Sequence, residues 1–233
     1  MSDLLTAYPA LGEAIARLSG GRAWRFTGAS ALLFDATHLY LEITKPNHWR
    51  RRDDGTLVAG IGAIGGSLEP GEDLLPCVRR EAAEEVGAPV ELLPADETHL
   101  VYEERTIETL RLGAGDLPAP VLCTVSRNLY RRRALPDADV LAIATFWATL
   151  AGAPRLGDLF GLLALPWDAL GAALAVPHPT VGGVRSLPRV RLETSGPIDA
   201  GALLAPVWTV RSLQLLMQAG CLRLPPSGPV PSP

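Results

Sequence analysis

Three glutamates in one short stretch, Glu81, Glu84 and Glu85, are spaced so that one helix would carry their carboxylates on a single face. Carboxylates held this close repel one another at neutral pH, and a hard divalent cation such as Mg²⁺ or Mn²⁺ relieves that repulsion through oxygen ligation. Such a cation can bridge pyrophosphate oxygens and acidify a water that attacks phosphorus. On their own, the three glutamates favour a solvated acidic helix face, so a metal site must be argued from the surrounding residues.

The surrounding residues predict the helix that would position these carboxylates. A Pro-Gly turn comes first, and apolar residues then recur along one helical stripe. The stripe consists of Leu75, Val78, Ala82 and Val86. Gly87 suits a left-handed helix end, and Arg80 stands four residues before Glu84, where it can pair with that carboxylate. We therefore expect a helix over residues 72–86 that packs its apolar stripe on a sheet.

The stretch 66–88 as a whole resembles the Nudix box, the signature of hydrolases that act on nucleoside diphosphates linked to another group. The matching positions are Gly66, Glu72, Arg80, Glu81, Glu84, Glu85 and Gly87. The resemblance covers the box and its flanks, roughly a tenth of the chain. Ala82, Ala88 and Ile64 depart from the residues usual at their positions, but none of these departures removes a carboxylate.

The resemblance implies a role for each box residue. Metal ligation falls to the helix carboxylates and a backbone carbonyl before the helix: Glu81, Glu84, Glu85 and Gly65. Catalysis falls to Glu84 and Glu85 with Glu72 as a supporting carboxylate and Arg80 as the orienting cation. The implied cofactor is Mg²⁺ or Mn²⁺, and the implied reaction is pyrophosphohydrolysis by water attack on phosphorus.

The general base is not assigned by these residues. Glu103, Glu104 and Glu108 are candidates for an additional carboxylate outside the box. A surface strand with salt bridges is the simpler explanation of the same three residues.

Two cationic segments are candidates for binding substrate. In the first, residues 45–55, Trp49 would stack on a base while Arg51 and Arg52 contact phosphate oxygens. In the second, Arg132 lies in a run of three arginines after a predicted strand. Both segments also fit ordinary solvated loops.

The pattern of strands and helices predicts an α/β fold. We expect a Nudix-type α/β/α sandwich with a mixed sheet, plus an N-terminal helix. The elements expected are an N-terminal helix within residues 1–20, a hairpin of Trp24–Phe34 and Leu39–Thr44, a buried central strand at Val140–Leu150, and a covering helix at Val207–Ala219. Residues 178–197 are expected to be irregular, because prolines flank His178 and recur to Pro197.

Composition narrows the class of protein. The chain has 233 residues, and its net charge of −4 argues against a generally basic nucleic-acid-binding surface. Three scattered cysteines form no zinc spacing and suit a reducing cytosol, and no signal peptide or membrane span is recognisable. We therefore expect a cytoplasmic protein that binds neither nucleic acid nor membranes, and the resemblance implies a small nucleotide-type substrate.

The expected domain organisation is one domain over residues 1–224, followed by a disordered proline-rich tail over residues 225–233. The N-terminal helix lies outside a minimal Nudix fold, so it is either packing cover or the contact of a homodimer.

Two other functions stay open at this point. A catalytically silent nucleotide sensor could share the fold, although all the box carboxylates are present. An isopentenyl-diphosphate isomerase-like enzyme would place a reactive cysteine upstream of the box, whereas the first cysteine here is Cys77, inside it. The sequence does not name the substrate.

Overall fold

The structure, a computed structural model, describes residues 3–127, 137–150 and 152–222. Within those ranges thirteen strands join in one mixed sheet. The strands are β1 (Trp24–Phe34), β2 (His38–Ile43), β3 (Arg50–Arg51), β4 (Leu57–Gly62), β5 (Ile64–Ser67), β6 (Val90–Leu93), β7 (Thr98–Tyr102), β8 (Thr106–Leu110), β9 (Leu122–Arg127), β10 (Val140–Leu150), β11 (Gly161–Pro166), β12 (Arg191–Thr194) and β13 (Leu203–Pro206). The helices are α1 (Asp3–Ala7), α2 (Pro9–Leu18), α3 (Leu74–Val86), α4 (Leu170–Ala173), α5 (Val181–Arg185) and α6 (Trp208–Gln218).

The two longest strands, β1 and β10, lie side by side at the centre of the sheet and run parallel, from Trp24 opposite Val140 to Phe34 opposite Thr149. The main path of the sheet is β12-β11-β2-β1-β10-β9-β7-β8. The predicted hairpin forms between β1 and β2, and the apolar run expected as a buried strand is β10. The mixed sheet and the central strand are therefore confirmed.

Side chains of the central strands alternate between two hydrophobic cores, one on each face of the sheet. In β1, Ala31 and Leu33 pack in the core that contains the apolar stripe of α3. Leu32 and Phe34 pack in the other core, which contains the apolar residues of α6. Because strand side chains alternate with period two, the two helices lie on opposite faces. The predicted α/β/α sandwich is confirmed.

The N-terminal region forms two helices where the sequence predicted one. The break falls at Tyr8, and Pro9 takes the first position of α2, where its missing N–H costs nothing. Leu11 and Ile15 are fully buried in the core on the α3 side. The hydroxyl of Tyr8 donates to the Leu117 carbonyl. These contacts make α1 and α2 packing cover in the protein, while the homodimer stays a prediction.

The prediction of an irregular segment over residues 178–197 is wrong. The short helix α5 begins after Thr180, whose Oγ1 accepts a hydrogen bond from the Gly183 N–H at 3.0 Å. Strand β12 pairs antiparallel with β11. The glycines in α5 and the prolines around both elements hid them, because these residues disfavour regular structure unless tertiary contacts stabilise it.

The tail predicted over residues 225–233 lies outside the described residues. No helix in the described part of the chain is long and apolar enough to cross a membrane.

Candidate active site

Helix α3 follows the predicted pattern closely. Its stripe is fully or almost fully buried: Leu75, Val78, Ala82 and Val86. Gly87 ends the helix with φ 66°, in the left-handed region, and its N–H donates to the Ala83 carbonyl at 3.1 Å. Burial of the stripe fixes the rotation of α3, and this rotation decides where each glutamate lies.

A loop that the sequence did not indicate holds the end of α3. The N–H of Gly157 donates to the Glu85 carbonyl at 2.9 Å, and the N–H of Asp158 donates to the Glu84 carbonyl at 3.0 Å. A β-carbon at Gly157 would lie 2.2 Å from the Glu84 carbonyl oxygen. The loop thus satisfies carbonyls that the helix leaves unpaired, and only glycine permits this approach.

Arg80 links the charged groups of the box. Its Nε and Nη2 each lie 2.9 Å from a carboxylate oxygen of Glu72, and its Nη1 lies 2.9 Å from Glu81 Oε1 and 3.4 Å from Glu84 Oε2. The hydrogen bonds from Arg80, helped by the backbone N–H of Glu69, lower the pKa of Glu72 to about 2. The predicted pairing with Glu84 is present, but it is the longest of these contacts.

A third carboxylate, which the sequence did not single out, joins two of the box glutamates. Glu42 on β2 interacts electrostatically with both Glu81 and Glu85, and we call these three residues the acidic cluster. Glu85 Oε2 accepts a hydrogen bond from the Gly65 N–H at 2.8 Å. Glu42 lies in a strand, and no local motif marks it. It comes near α3 only because β2 pairs with β1 and β4.

Burial and mutual repulsion raise the pKa values of two carboxylates in the acidic cluster. Burial, together with the charge of Glu81, raises the pKa of Glu42 to about 7, against an opposing effect of Lys45. Burial and the charges of Glu42 and Glu81 raise the pKa of Glu85 to about 9, although the Gly65 N–H opposes the rise. Buried carboxylates that repel one another favour protonation or a bound cation.

Three glycines provide the space that the acidic cluster occupies. A β-carbon at Gly62 would lie 2.2 Å from Glu42 Oε1, and one at Gly66 would lie 2.4 Å from Glu81 Oε1. Gly65 has φ 144°, and a β-carbon there would lie 2.4 Å from the Ala29 carbonyl oxygen. Any larger residue at these positions would displace the carboxylates or the backbone beside them.

The predicted ligand set is only partly brought together. Glu81 and Glu85 belong to the acidic cluster, and the Gly65 N–H donates to Glu85. The Glu84 side chain, in contrast, is 55% exposed. Across residues 3–127, 137–150 and 152–222, no group of three or more Asp, Glu, His or Cys side chains is arranged as a metal-binding set. The donor chemistry nevertheless fits a hard cation, because Glu42 and Glu85 are partly buried carboxylates that repel each other and Glu81.

A cavity of about 400 Å³ opens beside the acidic cluster. Its lining includes Glu42, Gly65 and Gly66 from the cluster and its backbone support. Its other lining residues come from β1, from the β4–β5 region, from β10 and from the start of α6: Thr27, Gly28, Ala29, Ser30, Gly62, Ala63, Ser67, Leu141, Ile143, Val207, Trp208 and Thr209. A substrate could therefore reach the carboxylates while the rest of it lies against the sheet.

Trp49, predicted to stack on a base, already has protein partners. Its Nε1–H donates to the Thr44 carbonyl at 2.7 Å, and its ring meets the edge of Phe160 with centroids 4.8 Å apart. Trp49 does not line the cavity beside the acidic cluster. Its assignment to the substrate stays a prediction.

The predicted substrate-binding arginines are also not gathered at the cavity. Arg51 and Arg52 are exposed, and Arg51 Nη1 donates to the Gly55 carbonyl at 3.0 Å. Arg132 lies outside the described residues.

The three candidates for an additional carboxylate each form a salt bridge instead. The pairs are Glu103 with Arg127, Glu104 with Arg211, and Glu108 with Arg17. The surface salt-bridge interpretation therefore accounts for all three, and the additional carboxylate near the box helix is Glu42.

Comparison with known proteins agrees with the box. The family model described as the NUDIX domain matches residues 25–117, which include β1, α3 and the acidic cluster. No curated protein is similar enough in sequence to match the chain.

Similar solved structures are distant. A NUDIX-family hydrolase from Clostridium perfringens is 15% identical, with 65% of this chain and 86% of that chain covered and a TM-score of 0.38. A NUDIX hydrolase from Nitrosomonas europaea is 12% identical, with coverages of 84% and 70% and a TM-score of 0.35. An ADP-ribose pyrophosphatase from Streptococcus suis is 11% identical, with coverages of 85% and 92% and a TM-score of 0.32. The match over residues 25–117, which contain the box, shows a NUDIX domain in this part of the chain.

Proposed function

We propose that this Nudix-type hydrolase of phosphoric anhydride bonds is a divalent-metal-dependent pyrophosphohydrolase that cleaves a nucleoside diphosphate linked to another moiety. The observation that carries the proposal is the acidic cluster at the wall of the cavity, where Glu42 lines the cavity and interacts with Glu81 and Glu85. Carboxylates crowded beside an accessible cavity suit a polyanionic substrate only when a cation accompanies it.

The residues proposed to hold Mg²⁺ or Mn²⁺ are those of the box and the newly found strand glutamate: Glu42, Gly65, Glu81, Glu84 and Glu85. When bound, the cation would supply neutralising charge for the pyrophosphate oxygens and acidify the attacking water. Glu84 belongs to the set through its contact with Arg80 and its place on the same helix.

Arg80 and Glu72 are proposed to position the ligands and not to touch the substrate. The guanidinium bonds Glu72 on one edge and Glu81 on another, which restricts the rotamer of Glu81. A carboxylate held in one orientation loses less entropy when it binds a cation. The general base is not assigned.

The remaining assignments are proposals from the sequence. Trp49, Arg51 and Arg52 would contact the substrate only from outside the cavity described above, and Arg132 is proposed as a further substrate contact. A single domain over residues 1–224, a cytoplasmic location, a small-molecule partner and a homodimer are proposed on the same basis.

The proposal is tested by replacing Glu85 with glutamine, which keeps the shape and the hydrogen-bond acceptor but removes the charge. Glu85→Gln is expected to lower turnover by several orders of magnitude with Mg²⁺ or Mn²⁺, since the charge is needed to hold the cation. The substrates to be screened are nucleoside triphosphates, ADP-ribose, NADH, nucleotide sugars, dinucleoside polyphosphates and coenzyme A. The measurement is metal-dependent release of phosphate or nucleoside monophosphate.

Glu91→Gln is the matched control, because Glu91 is an exposed glutamate on β6, outside the cavity. Turnover should survive this change. Equal turnover of Glu85→Gln and Glu91→Gln would contradict the metal-dependent mechanism. Nucleotide binding by the wild type without any turnover would instead favour the silent sensor.

A further inference from the structure

Trp208 is an unusual residue for a protein surface. Among the described residues, only Trp208 and Val176 are large hydrophobic side chains that stay exposed, and Trp208 is 45% exposed. Its φ of 45° lies in the left-handed region, which bulky residues rarely adopt. A rare backbone conformation at an exposed aromatic residue suggests a role in function, because burial of the ring does not explain it.

The position of Trp208 at the cavity beside the acidic cluster suggests a role in ligand binding. Trp208 lines this cavity together with Glu42, so the indole and the carboxylates border the same space of about 400 Å³. Leu141 and Ile143 of β10 add an apolar surface to the lining, and Ser30 adds a hydroxyl. A flat group with polar edges would find an aromatic ring, an apolar surface and hydrogen-bonding groups within one cavity.

The start of α6 is anchored firmly enough to hold the indole in place. Thr209 Oγ1 lies 3.1 Å from Ser30 Oγ and 3.3 Å from Thr145 Oγ1, and all three hydroxyls are buried. The N–H of Val207 donates to the Ile61 carbonyl at 2.9 Å. Contacts on both neighbours of Trp208 fix its backbone, so the ring is presented to the cavity with little freedom to lose on binding.

We propose that Trp208 stacks on the nucleobase of the substrate, with the base in this cavity and the diphosphate directed to the acidic cluster. The inference rests on the proposed function, because it takes the substrate to contain a nucleoside. It differs from the sequence-based assignment of Trp49, whose ring and N–H are already engaged by Phe160 and Thr44. Stacking tolerates any base, so Trp208 would set a preference for nucleotides without choosing among them.

The test compares two ligands that differ only in the base, AMP and ribose 5-phosphate, by isothermal titration calorimetry of the full-length protein. The wild type is expected to bind AMP more tightly than ribose 5-phosphate. Trp208→Ala should weaken AMP binding by about 5- to 150-fold, the range expected for loss of one base stack, and leave ribose 5-phosphate unchanged. Trp208→Phe, which keeps a ring, should retain most of the preference.

Val176→Ala is the control, because Val176 is the other exposed large hydrophobic residue among the described residues and does not line the cavity. It should leave both affinities at wild-type values. Circular dichroism melting of each variant separates loss of binding from loss of folding. Unchanged AMP affinity in folded Trp208→Ala, or no preference for AMP in the wild type, would overturn the inference.

The outcomes also separate this inference from the proposed function. If the panel shows metal-dependent turnover but AMP affinity is the same in Trp208→Ala, the hydrolase function is supported and the stacking role of Trp208 is wrong. If AMP binding depends on Trp208 but no substrate is turned over, the base site is supported and the proposed hydrolysis is wrong.

Discussion

Helices α3 and α6 cover opposite faces of one sheet, and they are held and used by different chemistry. Helix α3 is tied to its surroundings by charge, through Arg80 and through the Glu85 carboxylate that accepts the Gly65 N–H. Helix α6 is tied to the sheet by neutral hydroxyls, with Thr209 beside Ser30. The cavity receives residues from the strands and from the start of α6, and the acidic cluster reaches it through Glu42.

The difference indicates that the α3 side and the α6 side would contact different parts of a substrate. Under the proposed function, the charged groups on the α3 side would bind a cation and phosphates through strong electrostatic interactions. Neutral hydroxyls on the α6 side add rigidity without adding charge, so an apolar ring is not repelled from the cavity. Four predictions test whether the two sides are as distinct as their contacts indicate.

The largest effect is expected from Gly65→Ala. The added β-carbon would lie 2.4 Å from the Ala29 carbonyl oxygen at a residue with φ 144°. We expect the free energy of unfolding to fall by about 3 kcal/mol or more, from steric overlap and backbone strain together. Urea denaturation followed by circular dichroism gives this value.

Gly71→Ala is the control for strain without overlap. Gly71 has φ 81° but no atom within 4 Å of its added β-carbon. Its expected cost is only about 1–2 kcal/mol. Equal costs at the two positions would mean that close packing around the acidic cluster is not what requires Gly65.

The next effect is expected from Arg80→Ala, which removes the positioning cation of the α3 side. Loss of the bonds to Glu72 and Glu81 should lower kcat by about 10- to 100-fold, as is typical for groups that orient metal ligands. KM should change less, because Arg80 is proposed not to touch the substrate. Steady-state kinetics on the best substrate of the panel measures both constants.

Arg79→Ala is the matched control, because Arg79 is the exposed neighbour of Arg80 on the same helix. It should leave kcat near the wild-type value. A rise in KM with an unchanged kcat in Arg80→Ala would place Arg80 on the substrate and not on the carboxylates.

A smaller effect is expected on the α6 side from Thr209→Val. The change keeps the side-chain shape but deprives the buried Ser30 and Thr145 hydroxyls of a partner. The free energy of unfolding should fall by about 1 kcal/mol, the usual net contribution of a hydrogen bond, because Ser30 and Thr145 still bond each other. Thr106→Val, at an exposed position of β8, should stay within about 0.5 kcal/mol of wild type. Equal values for the two variants would mean that the hydroxyl contacts do not hold α6.

The smallest effect is a difference in pH dependence, measured without metal by urea denaturation at pH 6 and pH 3. Hydrogen bonds from Arg80 and the Glu69 N–H lower the folded-state pKa of Glu72 to about 2, below an unfolded value of about 4.3. The resulting stability is complete above the unfolded pKa and is lost as the pH falls toward 2. The destabilisation caused by Arg80→Ala should therefore be smaller at pH 3 than at pH 6.

The Thr209→Val deficit should be the same at both pH values, because hydroxyls do not titrate in this range. A Thr209→Val deficit that also shrinks at pH 3 would show that the contribution of the Thr209 hydroxyl depends on a titrating group.

The sequence predicted the α3 side well because its residues are close together in the chain. The buried stripe, the left-handed end at Gly87 and the contact of Arg80 with Glu84 all follow from helical spacing. Local spacing did not reveal which glutamates turn inward. That depends on the sheet against which the stripe packs, so Glu84 is exposed while Glu85 meets Glu42.

The contributions of isolated residues could not be predicted in this way. Glu42 occurs in an ordinary strand, and Trp208 begins an ordinary amphipathic helix, so neither carries a local signal. Helix α5 and strand β12 were missed because their propensities are poor and neighbouring strands stabilise them.

The sequence by itself determined the resemblance to the Nudix box, the mixed α/β architecture and the carboxylates of the box, because these depend on spacing along a single helix and on alternation along single strands. Only the tertiary structure decided that Glu42 completes the acidic cluster and that Trp208, not Trp49, borders its cavity. The physical reason is that sheet pairing and helix packing join residues far apart in the chain, and no local pattern records which of them will meet.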